Sequence, residues 1–318
     1  MENYYATKET LRQVIEEYGV AIIPSVLSLE EIEEFKNGTI DYFKHITQNW
    51  DNKIDNIFAS ENLRNFYDLY PSHGMLIQHW NIGHSQFVWN LRQNTKIVDL
   101  FSHFWNCKNE ELLVSFDGIS INPPPELTNK GWGRKHWLHT DQSYTRNDFE
   151  CIQSWITAFN VNEDDATLMF LEKSHKYHGE FAQEFKKQDK SDWYKLTDEE
   201  TQYYQKKGCS MKRVSCPEGS IVFWDSRTIH CGANALKTRK IPNYRLVVYL
   251  CYMPRSISTK KELEKKKKAF QELRMTSHWS VKSKLFPKNP RTYGGKLPII
   301  TPIERPVVNE LGMKLIGY

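Results

Sequence analysis

Apolar residues recur at helical spacing in the first third of the chain and crowd into short dense runs from Leu112 onward. Leu11, Val14 and Ile15 begin a helix, and GVAIIP at 19–24 reads as a short strand. Ser28 stands three residues before Glu31 in capping-box spacing. Ile32, Phe35, Ile40 and Phe43 then supply the apolar stripe of a second helix as far as His45. A further helix is predicted over 91–105, where Ile97, Val98, Leu100, Phe101 and Phe104 recur at the same period.

The later runs, LLVSFDGISI, CIQSWITAFNV, ATLMFLE, GSIVFW and YRLVVYLCYM, are rich in β-branched and aromatic residues and are separated by turn residues. Helices followed by a series of short strands predict a mainly β barrel or two-sheet sandwich with helices packed outside, and disfavour a doubly wound parallel sheet. Two short helices are expected within 179–207 as an insertion on the barrel, the second capped by Thr197 with Glu200. Thr259 and Glu262 cap another helix, on which the Lys265 to Lys268 run is expected to be a solvated face. Prolines 287, 290, 298, 302 and 306 predict an extended tail. The expected organisation is one domain over 1–318: a mainly helical support to about 110, the barrel over about 111–255, then a helix and tail over 256–318.

Composition adds few constraints. With 39% hydrophobic and 26% charged residues the 318-residue chain can bury a core and keep a polar surface. Forty-three Lys and Arg against thirty-nine Asp and Glu leave +4, too small and too evenly spread for a dedicated nucleic-acid or membrane surface. No run approaches the roughly 18 apolar residues of a membrane span, and MENYYATKET lacks the features of a signal peptide. The expectation is a soluble, cytoplasmic protein. Six dispersed cysteines without a C-x-x-C pair read as reduced thiols, not as a zinc site or a disulfide framework.

The segment HWLHTDQSY carries the candidate chemistry. On a strand, His139 and Asp141 at i and i+2 project from the same face, so an imidazole and a carboxylate converge. Chance alone yields about one such pair in this composition, and His178 with Glu180 is a second. That pair falls where the chain enters a helix, on which i and i+2 diverge, and both are expected at the surface. His230, after the strand GSIVFW and a turn, fits as a third ligand. Two His and one carboxylate with open positions suit non-haem Fe(II) in oxygenases, although zinc hydrolases also use this set. Arg245, fifteen residues after His230 at the start of YRLVVYLCYM, is placed to hold a carboxylate in bidentate fashion. Arg227 and Arg239 compete for that role but lie in polar turn sequence.

H-T-D, then D-A-T-L-M-F-L-E-K-S-H-K, then G-S-I-V-F-W-D with His230, then an Arg opening the last strand, together resemble the phytanoyl-CoA dioxygenase family of Fe(II)- and 2-oxoglutarate-dependent oxygenases. GVAIIPSVLSLEEIEEF resembles its opening strand and helix, so the likeness runs from about 18 to 254. The resemblance implies a double-stranded β-helix, a cupin-like jelly roll. It also implies that His139, Asp141 and His230 hold Fe(II) and that 2-oxoglutarate chelates the metal with its far carboxylate on Arg245. O2 would bind the last position, and a substrate would be hydroxylated with release of succinate and CO2. Trp155 matches a position bordering the cosubstrate pocket, and Ser174 and His175 match a loop that is mainly architectural. Three departures stand out: Gly232 where members often have Ser, Asp165 and Ala166 where they often have Asn-Gly, and a slightly long gap from His230 to Arg245.

Substrate identity is less legible. His73, His79 and His84 precede the barrel where this family often builds its mouth, and their spacing matches no metal motif, so a pocket lining or a satisfied polar cluster is expected in place of a second metal. The competing readings are a catalytically silent jelly-roll binding protein, and an oxygenase acting on protein or nucleic acid through the Lys265 to Lys268 helix. The near-neutral charge weighs against the latter.

Overall fold

The structure, a computed structural model, describes residues 1–73, 75–133 and 136–318. The helix Leu11–Tyr18 stops at Gly19, whose φ of 82° turns the chain directly into strand β1, Val20–Ile23. The Ser28–Glu31 capping box forms and starts the helix Leu29–Ile46. The single helix predicted over 91–105 is instead two, Gln86–Arg92 and Thr95–Trp105. Asn94 accepts from the backbone N–H of Lys96 and starts the second one, a cap that the apolar periodicity had masked.

The remaining strands are β2 (Leu76–Ile77), β3 (Leu112–Val114), β4 (Ile119–Asn122), β5 (His139–Thr140), β6 (Ile152–Thr157), β7 (Thr167–Leu171), β8 (Tyr194–Lys195), β9 (Met211–Arg213), β10 (Ile221–Asp225), β11 (His230–Ala233), β12 (Arg245–Leu250) and β13 (Tyr252–Pro254). They form an antiparallel six-stranded sheet, β1-β10-β6-β12-β4-β2, and an antiparallel five-stranded sheet, β8-β5-β11-β7-β9. These are the two sheets of a jelly roll. Two strands of the larger sheet, β1 and β2, come from the first 110 residues, and β8 comes from the insertion.

The period of two in the strands explains the layers. Val222, Trp224, Trp155 and Val247 of the larger sheet meet Leu168 and Phe170 of the smaller one between the sheets. Their alternates, Ile221, Phe223, Ile156 and Val248, pack outward against Phe35, Phe43, Ile97 and Phe101 of the helices. On the far side of the smaller sheet, Leu138, Met169, Leu171 and Cys231 pack against Phe181 and Tyr204 of the inserted helices His178–Glu184 and Asp198–Lys206. Strands buried on both faces are continuously apolar, as these runs are.

Two apolar runs break where the sheets demand it. LLVSFDGISI divides into β3 and β4, and a Cβ at Gly118 would lie 2.0 Å from the carbonyl oxygen of Ile77, so only glycine permits the β2–β4 contact. YRLVVYLCYM divides at Cys251 into β12 and β13, and β13 leaves the large sheet to pair with β3. The tail is largely irregular, as its prolines predict, but ends in a helix, Glu310–Ile316, capped by Asn309.

The lysine run is not a uniformly solvated face. Within the helix Lys260–Gln271, Lys266 is buried, its ammonium over the Phe116 ring at 4.1 Å and donating to the Val114 carbonyl. Burial, reinforced by nearby Arg92, pulls its pKa down to about 7. An unfolded chain therefore takes up a proton that the folded chain lacks between about pH 7 and 10, and stability contributed at this site rises with pH over that window. Lys266→Met is expected to stabilise the protein by about 1–3 kcal/mol at pH 7. In thermal unfolding followed from pH 6.5 to 10, the gain should shrink as the pH rises.

Candidate metal centre

The site is built by a cross-strand pair. His230 opens β11 and sits directly opposite His139 of β5, with ring centroids 4.4 Å apart. Both project between the sheets because their neighbours Leu138 and Cys231 face the inserted helices. Asp141 lies one residue beyond β5, and its backbone N–H donates to the Ser226 carbonyl at 3.0 Å, which holds the chain on course. Its carboxylate reaches within 3.7 Å of His139 Nε2 and 3.3 Å of His230 Nε2. One ligand atom from each of the three residues lies within 4.8 Å of the others.

The chemistry of the donors fits a cation. His139 Nδ1 meets the Trp137 carbonyl at 3.2 Å and His230 Nδ1 meets the Thr228 carbonyl at 2.8 Å, which directs both Nε2 lone pairs inward. Burial, with His230 next to it, holds His139 down to about pKa 4, so the ring is neutral and able to coordinate. Burial alone would raise Asp141, but His139, His278 and His230 around it keep its carboxyl well below the usual carboxylate range. Gln153 donates to Asp141 Oδ2 at 3.0 Å and fixes the carboxylate.

These residues stand at the wall of a cavity of about 390 Å³. Arg245 lines it too. Its Nη1 donates to Ser120 Oγ at 2.6 Å, its guanidinium lies 5.5 Å from the Trp155 ring, and its Nε has no partner. Among the described residues Arg245 has no carboxylate partner. Arg227 and Arg239 do: Arg227 grips Asp225, and Arg239 pairs with Glu126 and Asp165. Both are committed to holding loops, and Asp165, one of the departures, anchors its loop through Arg239 and Asn243.

Of the three early histidines, only His73 reaches the cavity. It stacks on Trp137 at 5.2 Å, and Trp137 stacks on His139 at 4.7 Å. His79 and His84 are buried elsewhere, bonded to the carbonyls of Leu69 and Arg274, and burial lowers both pKa values. His178 is buried, not at the surface as expected, with Nε2 on the Ser143 carbonyl, whereas Glu180 is exposed. Gln142 points away from the cavity and ties Ser226 to the loop at Arg146 and Asp148. Ser174 and His175 bond backbone groups of Ile229 and Glu16. Gly232 leaves room for the Met75 side chain, whose Cε would lie 2.6 Å from an added Cβ.

Several cavity residues had no sequence signal. Gln153 could have been found, since it lies two residues before Trp155 on the same strand face. Asp117, Gln78, Trp193, His278 and Trp279 arrive from separate loops that no spacing rule links.

The sequence profile of phytanoyl-CoA dioxygenase (PhyH) matches residues 15–241. The Ava biosynthesis cluster protein O of Aspergillus versicolor is 25% identical over 268 residues, which cover 82% of each chain. Among solved structures, a hypothetical protein of Escherichia coli aligns over 97% of this chain and 81% of its own, with 12% identity and a TM-score of 0.58. The GlcNAc-inducible gene 2 product of Candida albicans aligns over 83% of this chain and 67% of its own, with 13% identity and a TM-score of 0.57. The chain belongs to the phytanoyl-CoA dioxygenase family, and is an oxygenase that uses iron and 2-oxoglutarate.

Because Gln153 orients the Asp141 carboxylate, Gln153→Leu is expected to weaken Mn(II) binding about 10- to 100-fold without unfolding the protein. Titration of the metal-free protein with Mn(II), read by electron paramagnetic resonance, measures this.

Proposed function

We propose that this member of the phytanoyl-CoA dioxygenase family hydroxylates a small organic substrate with release of succinate and CO2. In this reading His139, Asp141 and His230 hold the iron, and Arg245, flanked by Trp155, holds the far carboxylate of 2-oxoglutarate. The supporting observation is the placement, on the wall of the same cavity, of three convergent donors and one buried cation that lacks a carboxylate partner among the described residues. Bound iron with 2-oxoglutarate supplies the activation of O2 needed to oxidise a C–H bond.

The chain's own residues do the rest. The carbonyls of Trp137 and Thr228 fix the imidazole tautomers, and Gln153 fixes the carboxylate. Ser120 orients the Arg245 fork toward an incoming carboxylate. Trp193, Trp279 and Phe286 line the cavity and limit water access to the reacting atoms. The cavity volume suits a small molecule. A reducing compartment, the cytoplasm, suits the six free thiols. A polymer substrate docked on the lysine helix is disfavoured: Lys266 is buried, Lys265 bonds the Ser283 carbonyl, and Lys267 and Lys268 pair with Glu264 and Glu272.

Two variants test the assignment. His139→Ala is expected to abolish iron-dependent formation of succinate from 2-oxoglutarate. Arg245→Met is expected to raise the KM for 2-oxoglutarate about 10- to 100-fold, the equivalent of about 1.4–3 kcal/mol for a lost charge-assisted pair, with Mn(II) affinity retained. Succinate release measured by mass spectrometry decides both; equal turnover in His139→Ala and the native chain contradicts the assignment.

A further inference from the structure

We propose that Asp117 anchors the substrate through a positively charged amino group, so that the enzyme acts on a small, ring-bearing amine. This rests on the reading of the cavity as the site of an iron- and 2-oxoglutarate-dependent reaction.

Asp117 occupies the bend between β3 and β4, is buried and lines the cavity. Its Oδ1 accepts from the Gly118 N–H at 2.7 Å and from Gln78 Nε2 at 3.0 Å. Its Oδ2 accepts no hydrogen bond among the described residues. Arg92, the cation beneath it, donates to the Asp117 backbone carbonyl at 2.8 Å and to the Gly83 carbonyl, not to the carboxylate. The other carboxylates on the cavity wall are committed: Asp141 stands in the donor triad and Asp192 pairs with Arg146. Asp117 is therefore the one cavity-lining carboxylate outside the donor triad that, among the described residues, has no ion-pair partner.

Its position separates it from the cosubstrate anchor. Arg245 begins β12, and the N–H of Tyr249 on the same strand bonds the Gly118 carbonyl. Four residues of strand set those backbone positions about 13 Å apart, and the Arg245 guanidinium, held on Ser120, makes no ion pair with Asp117 among the described residues. Burial pushes the Asp117 carboxyl up, which leaves the ionised form short of stabilisation that a cation in the cavity would provide. Trp193 and Trp279 share the cavity wall, and indole faces favour an ammonium group and a flat ring alike. A neutral alcohol of the same shape would gain the hydrophobic contacts but not the ion pair.

The test compares amines with matched alcohols. Protein loaded anaerobically with Mn(II) and 2-oxoglutarate is titrated by calorimetry with 2-phenylethylamine against 2-phenylethanol, and with tryptamine against tryptophol. The native protein is expected to bind at least one amine 10-fold or more tightly than its alcohol. Asp117→Asn keeps an acceptor for Gly118 and Gln78 and should bring the preference below about threefold, with Mn(II) and 2-oxoglutarate affinities within twofold of native. Absence of any amine preference in the native protein overturns the proposal without need of the variant, and so does a preference that survives in Asp117→Asn. Failure of the native protein to bind 2-oxoglutarate overturns the cofactor reading instead, and is seen before any amine is added.

Discussion

The register that sets His139 opposite His230 is the constraint on which the site depends. β5 is only two residues long and would not persist alone; β8 and β11 hold it on either side. β5 and its partner β11 are positioned from outside the sandwich. Leu138, Cys231 and Ala233 bury against Phe181 and Tyr204, so the insertion that interrupts the strand series is what clamps the histidine pair in place. A slip of one residue in either strand would turn an imidazole out of the cavity and a leucine or cysteine into it.

The larger sheet supplies the complementary half. Gln153 and Trp155 on β6 and Arg245 and Tyr249 on β12 face the cavity at alternate positions, so one sheet face carries a carboxylate-orienting amide, an aromatic wall and a buried guanidinium. Loops complete what strands cannot. Trp193 comes from the insertion and His278, Trp279 and Phe286 come from the segment after the helix Lys260–Gln271, which crosses back over the barrel mouth. The bridge between Thr276 and Leu285 closes that segment on itself. The insertion and the segment beyond the last strand thus meet over the donors that the middle strands provide.

The strand and helix patterns carried the layers of this fold because buried strands and capped helices announce themselves locally, as Ser28 with Glu31 and Thr197 with Glu200 do. Boundaries set by tertiary contact were not legible. The break at Asn94 was hidden by an unbroken apolar stripe, and β11 by its composition, His-Cys-Gly-Ala, which has no strand character of its own. Lys266 reads as solvent-facing in any charge pattern, and only the packing of Phe116 and Val114 beneath it shows otherwise. At the site, His139, Asp141, His230, Arg245 and Trp155 were legible from spacing and resemblance, and the structure brings all five to one cavity. The places of Asp117 and His278 on the same wall were not, because they come from loops far apart in sequence.

In the proposed function one cavity holds a divalent metal at the triad and a keto acid on Arg245. A crystal structure of the protein grown anaerobically with Mn(II) and 2-oxoglutarate tests it most directly. The expected result is a single ion bound by Nε2 of His139, Nε2 of His230 and a carboxylate oxygen of Asp141, with the far carboxylate of 2-oxoglutarate in hydrogen-bonding contact with the Arg245 guanidinium. An ion bound away from this triad, or a 2-oxoglutarate seated on Lys284 or another cation with Arg245 unengaged, would contradict it.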